Sequence, residues 1–452
     1  MSRTPLPMTS HVPEKYEGPS KAEVIALRQQ YLSPGLVTYY KEPLLLVEGK
    51  MQYLWDETGK QYLDAFAGIV TVSVGHAHPY VLDKVTKQLG KLQHTTTIYL
   101  HPTIGQLGKK LADKMPAGSG LSMSYITNSG SEANEVAILS AREYTKNADV
   151  ISLRNGYHGG TSLPMALTAH GTWKFKSNTT ANVKYGTPGY CYRCPFGLTY
   201  PSCELKCATD TEDLIKYETP GEVACFIGEP IQGVGGTVTP PKEYFKIVYD
   251  IVRKYGGLCI ADEVQTAFGR TGEHYWGFQN WGVTPDLVTM AKGLGNGVPI
   301  GAMTTRPEIA AMMKNRVHFN TFGGNPISVT QGLATLDVID AEGLQANAKA
   351  VGGHIKNRLM ELQEKHAFIG EVRGMGRMLG VELVRDRKSK EPANTEAADV
   401  MEQCKDRGLI LGKGGLFANT LRIKPPMCIT KADADFLVDT LDEVLERMAK
   451  AG

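Results

Sequence analysis

Two charged residues, Asp262 and Lys292, each close a short apolar run within residues 258–301. Residues 258–261 lead into Asp262-Glu263, and residues 287–290 lead into Ala291-Lys292. A brief β-rich run closed by a charge and then glycine predicts a buried parallel strand that delivers a polar side chain at its carboxyl end. In open α/β sheets ligands sit outside those ends, so Asp262 and Lys292 are expected to face one ligand from separate strands. Gly293, Gly295 and Gly297 leave little side chain to support a bare ammonium beside them. That setting suits a lysine engaged covalently, as a Schiff base to an aldehyde. The competing reading is a strand-end lysine pointing to solvent, and both stay open on position alone.

Three other strand-like runs end in polar residues. Residues 123–127 run into NSGSEANE, and EANEVAILSAREYTK then has helical periodicity. A strand, a Ser/Gly turn and a helix start make an anion site, because the first N–H groups and the helix dipole point at the ligand. Gly130 allows close backbone approach and Ser131 can donate its hydroxyl; an ordinary helix cap at Ser129 or Ser131 explains the same residues. Residues 150–153 end in RNGYHGG, where Tyr157 either stacks on a ring or packs on a core edge. Residues 223–227 end in GEPIQGVGG and put Glu229 at one more strand end. Far along the chain, LRIKPP sets Arg422 in an extended segment closed by prolines. Its fork suits a substrate carboxylate, or a structural ion pair.

The elements that must position these residues follow from periodicity. Five apolar runs alternating with helical patterns predict βαβ units. After NTFGGNP, residues 327–339 read as a long helix able to link two domains, and a smaller α+β portion runs to the end. There EVRGMGRMLGVELV reads as a glycine-turned strand, and its GMGRMLG is discounted as a dinucleotide fingerprint because no helix follows. The final helix is predicted from about Thr430, with Leu437, Leu441, Val444, Leu445 and Met448 on one face. At the other end Pro5, Pro7, Pro13 and Pro19 exclude a long initial helix. Residues 21–30 read as a short helix, and residues 51–64 as a β-hairpin around Thr58-Gly59.

Composition narrows the classes. A chain of 452 residues predicts one large domain plus a smaller one. A net charge of +2 gives no basic excess to attract nucleic acid or anionic lipid. The longest nearly uncharged apolar stretch, residues 66–74, is too short to span a bilayer. The amino-terminal stretch lacks the apolar core of a secretory signal, and Glu14 and Glu17 make it a poor transit peptide, so a cytoplasmic protein is expected. Four of the eight cysteines, Cys191, Cys194, Cys203 and Cys207, cluster in one insertion. They read either as a small zinc knuckle or as free thiols, and no metal is assigned to them. His76 and His78 are read as parts of a structural loop.

From about Ser33 to the end the chain resembles the class III aminotransferases of fold type I. The resemblance rests on NSGSEANE, YHG, EPIQG, ADEVQTAFGRTG, DLVTMAKGLGNGVPIGA, NTFGGNP and RGMGRMLGVEL, in the family's order. Within the class, FAGIVTVSVGHAHP, LQHTTTIYLHP and LRIKPPMCITKADADF look most like the alanine–glyoxylate aminotransferase 2-like branch. The resemblance implies an α/β fold: a large domain (65–330) with a mostly parallel seven-stranded sheet that binds pyridoxal 5'-phosphate. The smaller α+β domain would be formed by 1–64 and 331–452. It further implies that Lys292 forms the Schiff base and moves the proton, that Asp262 pairs with the pyridinium nitrogen, and that Tyr157 stacks on the ring. Gln265 would reach the phenolic oxygen. Gly130 and Ser131 would bind the phosphate, with Thr321 reaching in from the other subunit of a homodimer, itself able to form a tetramer. Glu229 would sit at the substrate mouth and Arg422 would take the α-carboxylate. The implied reaction is ping-pong transfer of an amino group from L-alanine or an ω-amino acid to a 2-oxo acid such as glyoxylate or pyruvate. Phospholyases acting on phosphoethanolamine-like amines share the same lysine and stand as the alternative. The cysteine insertion is not part of the general class III pattern and bears on substrate rather than on cofactor.

Overall fold

In the computed structural model, which describes residues 4–177 and 182–451, a seven-stranded sheet organises the chain. Its strands lie in the order Met123–Thr127, Gly301–Thr305, Leu287–Met290, Leu258–Asp262, Cys225–Gly228, Val150–Leu153, Val183–Gly186. Only Gly301–Thr305 runs antiparallel to its neighbours, pairing with Met123–Thr127 on one side and Leu287–Met290 on the other. The four strands from Val150–Leu153 to Leu287–Met290 are buried at every position, as strands covered on both faces must be.

Side-chain alternation decides what each face meets. Cys225, Ile227, Leu258, Ile260 and Leu287 pack with Val136, Ala137 and Ala141 of the helix Gly130–Thr145. Phe226, Cys259, Ala261 and Val288 point the other way, into a larger cluster with Phe245, Val248 and Tyr249 of the helix Tyr244–Lys254. With each face capped by helices, the carboxyl ends of the parallel strands are the place left for a ligand.

The expected strands at 123–127, 150–153, 258–261 and 287–290 stand, while the one expected at 223–227 forms two residues later, over Cys225–Gly228. Two sheet strands gave little signal. Val183–Gly186 is a four-residue edge strand of mixed character, and Gly301–Thr305 is built of small residues whose burial comes from their neighbours. The linking helix spans Pro326–Ala341 and the last helix Lys431–Ala451, where Leu437, Leu441, Val444 and Leu445 are buried.

Two smaller four-stranded sheets complete the fold. Leu46–Lys50, Tyr53–Asp56 and Gln61–Asp64 form the expected hairpin and one further strand, and the short Leu409–Ile410 joins them in parallel. Ile369–Met375, Met378–Leu383, Thr420–Ile423 and Gly412–Gly414 form the other. Tyr53, Trp55 and Leu63 share an apolar cluster with Leu359, Leu379 and Leu437, so the first strands of the chain pack with its last helices. His76 and His78 are held by Asp64 (2.8 Å) and Glu342 (2.9 Å). Cys191, Cys194, Cys203 and Cys207 are free thiols around one small cavity, and burial pushes the Cys207 thiol up to about 12. Among the described residues no group of three or more His, Cys, Asp or Glu side chains could hold a metal ion.

Candidate active site

A cavity of about 310 Å3 opens at the carboxyl ends of the central strands. Gly130, Ser131, Tyr157, Glu229, Asp262, Gln265 and Lys292 all line it, which brings together seven residues drawn from five separate segments. Arg422 does not line it but is buried close by, near enough for its charge to lower the Lys292 pKa and for Glu229 to pull its own upward. Thr321 is exposed and outside the wall of its own chain's cavity.

The helix Gly130–Thr145 supplies one end of the cavity. Ser129 is its cap, its hydroxyl accepting from Glu132 N at 3.1 Å. The N–H groups of Gly130 and Ser131 have no partner among the described residues, and both residues are on the wall. Gly130 meets a close approach: a Cβ there would fall 2.9 Å from Val264 Cγ2. Ser131 Oγ accepts from Gly160 N (3.1 Å), which keeps its own proton free to donate. The cap and the anion cradle are thus neighbouring residues of one turn.

Asp262 ends the strand Leu258–Asp262 and is almost fully buried. Its Oδ2 accepts from Asn134 Nδ2 (2.9 Å) and His158 Nδ1 (2.8 Å), and its Oδ1 from Val264 N (3.1 Å). A carboxylate has no proton to give, so the imidazole carries its hydrogen on Nδ1. Glu229 accepts on one oxygen from Tyr157 N (3.0 Å) and on the other from Gly233 N (2.8 Å). Burial nevertheless raises its pKa, with Asp262 adding to the effect. Tyr157 is half-buried, its ring set edge-on to Trp173 at 5.1 Å.

Lys292 follows the strand Leu287–Met290 and opens a short 3-10 turn at φ +36°. A non-glycine residue held there marks backbone strain of the sort that collects at functional sites. Its ammonium has no hydrogen-bond or ion-pair partner among the described residues. Burial lowers its pKa against the opposing pull of Asp262 and Glu229, and Arg422 lowers it further. Lys292 therefore faces the cavity, and the solvent-pointing alternative falls.

Arg422 lies in the strand Thr420–Ile423 with Nε and Nη2 buried and without partners, its guanidinium 5.1 Å from the centre of the Phe66 ring. A buried fork with free donors suits a carboxylate and rules out the structural ion pair.

The residues present fit pyridoxal phosphate. The unpaired Lys292 amine matches an aldehyde, and the free N–H groups of Gly130 and Ser131 match a phosphate. Gln265 Nε2, also without a partner among the described residues, matches a phenolic oxygen. Asn134 and His158, which hold Asp262, were not singled out in the sequence. Asn134 stands one helical turn after Gly130 and His158 follows Tyr157, so both lay inside recognised motifs, but only the folded chain turns them onto one oxygen.

The class III aminotransferase family matches residues 37–445, and the chain belongs to it; it is a pyridoxal-phosphate-dependent transaminase. It is 49% identical over 444 residues to a protein of Arabidopsis thaliana named alanine–glyoxylate aminotransferase 2 homolog 2, mitochondrial, spanning 98% of this chain and 91% of that one. Among solved structures it is similar to a phospholyase from Arthrobacter in complex with phosphoethanolamine, with TM-score 0.86 and 33% identity over 94% of this chain and 99% of that one. It is also similar to an amine transaminase from an uncultivated Pseudomonas species in its pyridoxal-phosphate-bound form. There the TM-score is 0.86 at 28% identity, over 92% of this chain and 98% of that one. Among the described residues no helix is long and apolar enough to cross a membrane.

Proposed function

We propose that the enzyme moves the amino group of L-alanine or an ω-amino acid to a 2-oxo acid, glyoxylate or pyruvate, by a ping-pong mechanism. The observation that carries this is the unpartnered Lys292 amine on the wall of a cavity that also presents Asp262. Pyridoxal phosphate, when bound, supplies an aldehyde for the amine and a ring that accepts the electron pair left at the substrate carbon. Lys292 holds the cofactor between turnovers and, once released, Nζ takes the substrate's α-proton; its lowered pKa favours the free amine this requires. Asp262, fixed by His158 and Asn134, keeps the proton on the pyridine nitrogen. Tyr157 covers the ring face, Gln265 Nε2 donates to the phenolic oxygen, and Gly130 and Ser131 take the phosphate. Arg422 pairs with the substrate carboxylate, with Glu229 beside it at the mouth.

A homodimer with shared sites, able to build a tetramer, completes the reading, with Thr321 reaching the phosphate of the second subunit. Support comes from its exposure and from the exposed apolar residues Val317, Phe319 and Phe322 around it. The division into 65–330 as the cofactor-binding unit, with 1–64 and 331–452 as the smaller one, is part of the same proposal. So is a cytoplasmic location; the Arabidopsis relative is named mitochondrial, and cell fractionation decides between them.

The test is the visible absorbance of the holoenzyme as amines are added. L-alanine should bleach the band and glyoxylate restore it, and K292A should show no turnover. Phosphate release from phosphoethanolamine, with no amino acid bleaching the band, would establish the lyase instead.

A further inference from the structure

Lys424 is fully buried two residues beyond Arg422. Its backbone is pinned, since its N–H donates to Ala65 O (2.8 Å) and the next carbonyl, of Pro425, accepts from Arg270 Nη1 (2.9 Å). The side chain runs inward and Nζ donates to Gly233 O (3.3 Å) and Gln265 Oε1 (3.2 Å). No carboxylate pairs with it among the described residues. A buried lysine without a counter-charge is costly, and burial together with Arg422 holds its pKa well below the usual value. Nothing in amino transfer as derived above uses this residue.

Its contacts give it a task. We propose that Lys424 is a positioning residue for Gln265, taking the amide oxygen so that Nε2 is turned into the cavity to meet the cofactor's phenolic oxygen. This rests on the role of Gln265 proposed above. An amide has one accepting and one donating end, and an amine in either protonation state can donate. With Oε1 held by Lys424, only the donating end is left for the cavity. Gly233 packs directly against this amide, where a Cβ would fall 2.3 Å from Gln265 Oε1 and 2.5 Å from Nε2, so only a glycine leaves the amide its room. The same glycine donates its N–H to Glu229 Oε2, so one residue ties the substrate mouth to Lys424 and, through it, to Gln265.

The test compares holo and apo forms of K424M, Q265L and the double variant, reading the visible band of the bound cofactor and its dissociation constant. Each single variant should shift the band and weaken pyridoxal phosphate binding about tenfold, and the double should be no worse than either within about twofold. If Q265L leaves both readouts unchanged, the role of Gln265 falls and this proposal with it. If Q265L changes them and K424M does not, Lys424 has no positioning role while Gln265 keeps its own. Losses that multiply in the double variant also overturn the proposal, since the two side chains then act independently. Should K424M fail to fold, K424Q, whose side chain is one atom shorter and cannot reach both acceptors, is read by the same criteria.

Discussion

His158 Nδ1 donates to Asp262 Oδ2 at 2.8 Å, and Asn134 Nδ2 reaches the same oxygen at 2.9 Å. The carboxylate is thereby fixed by two side chains from different segments, and it needs to be, since a cofactor nitrogen is best stabilised by a group that does not reorganise during reaction.

Replacing Asp262 by asparagine removes the charge that keeps the ring nitrogen protonated. D262N should lower kcat by on the order of a hundredfold or more. H158F leaves Oδ2 to Asn134 alone and should lower kcat about tenfold, with little change in KM. Steady-state kinetics of the two variants checks this; an H158F enzyme with wild-type kcat would show that Asp262 needs no second anchor.

The pH at which the apoenzyme takes up pyridoxal phosphate should report the charges around Lys292. Glu229 favours its ammonium form and Arg422 disfavours it. Neutralising Glu229 in E229Q therefore lowers the Lys292 pKa and moves the acid limb of the uptake rate to lower pH. R422A moves it to higher pH. Uptake rates followed by absorbance across pH measure both limbs, and shifts of the same sign in the two variants would contradict the geometry.

Arg422 should act on substrates that carry an α-carboxylate. R422A removes a charge-assisted pair, so KM for L-alanine should rise by about ten- to a hundredfold. Amines without a carboxylate should be unaffected, and an unchanged KM for L-alanine would remove Arg422 from the site.

Glu263, next to Asp262, should matter for stability. Its carboxyl accepts from Phe278 N (2.6 Å), Gly277 N (2.8 Å) and Thr266 Oγ1 (2.8 Å), and burial raises its pKa from 4.5 to about 7. E263Q turns an amide N–H2 toward backbone donors and should cost about 1–3 kcal/mol. Because the folded pKa is raised, the carboxyl's contribution is fully present below 4.5 and is lost as pH rises through about 7. The deficit of E263Q should be larger at pH 5 than at pH 8 in thermal unfolding.

Much of this architecture was legible in the residues. The strands ending in Asp262 and in Met290 are local apolar runs with nowhere to go but a buried sheet, and the NSGSE turn carries its own helix start. Those signals are local, so the sequence determined them by itself, and with them the residues that could hold an aldehyde and a phosphate. The tertiary structure decided which groups share an atom. Gly301–Thr305 became a strand only because two neighbours needed a partner, and Asn134 and His158 met Asp262 only once a helix and a loop closed over the sheet. Lys424 gave no sign of its place, for its neighbours Gly233 and Gln265 lie more than 150 residues away in sequence. Side-chain hydrogen bonds across such separations depend on packing, and periodicity carries no record of them.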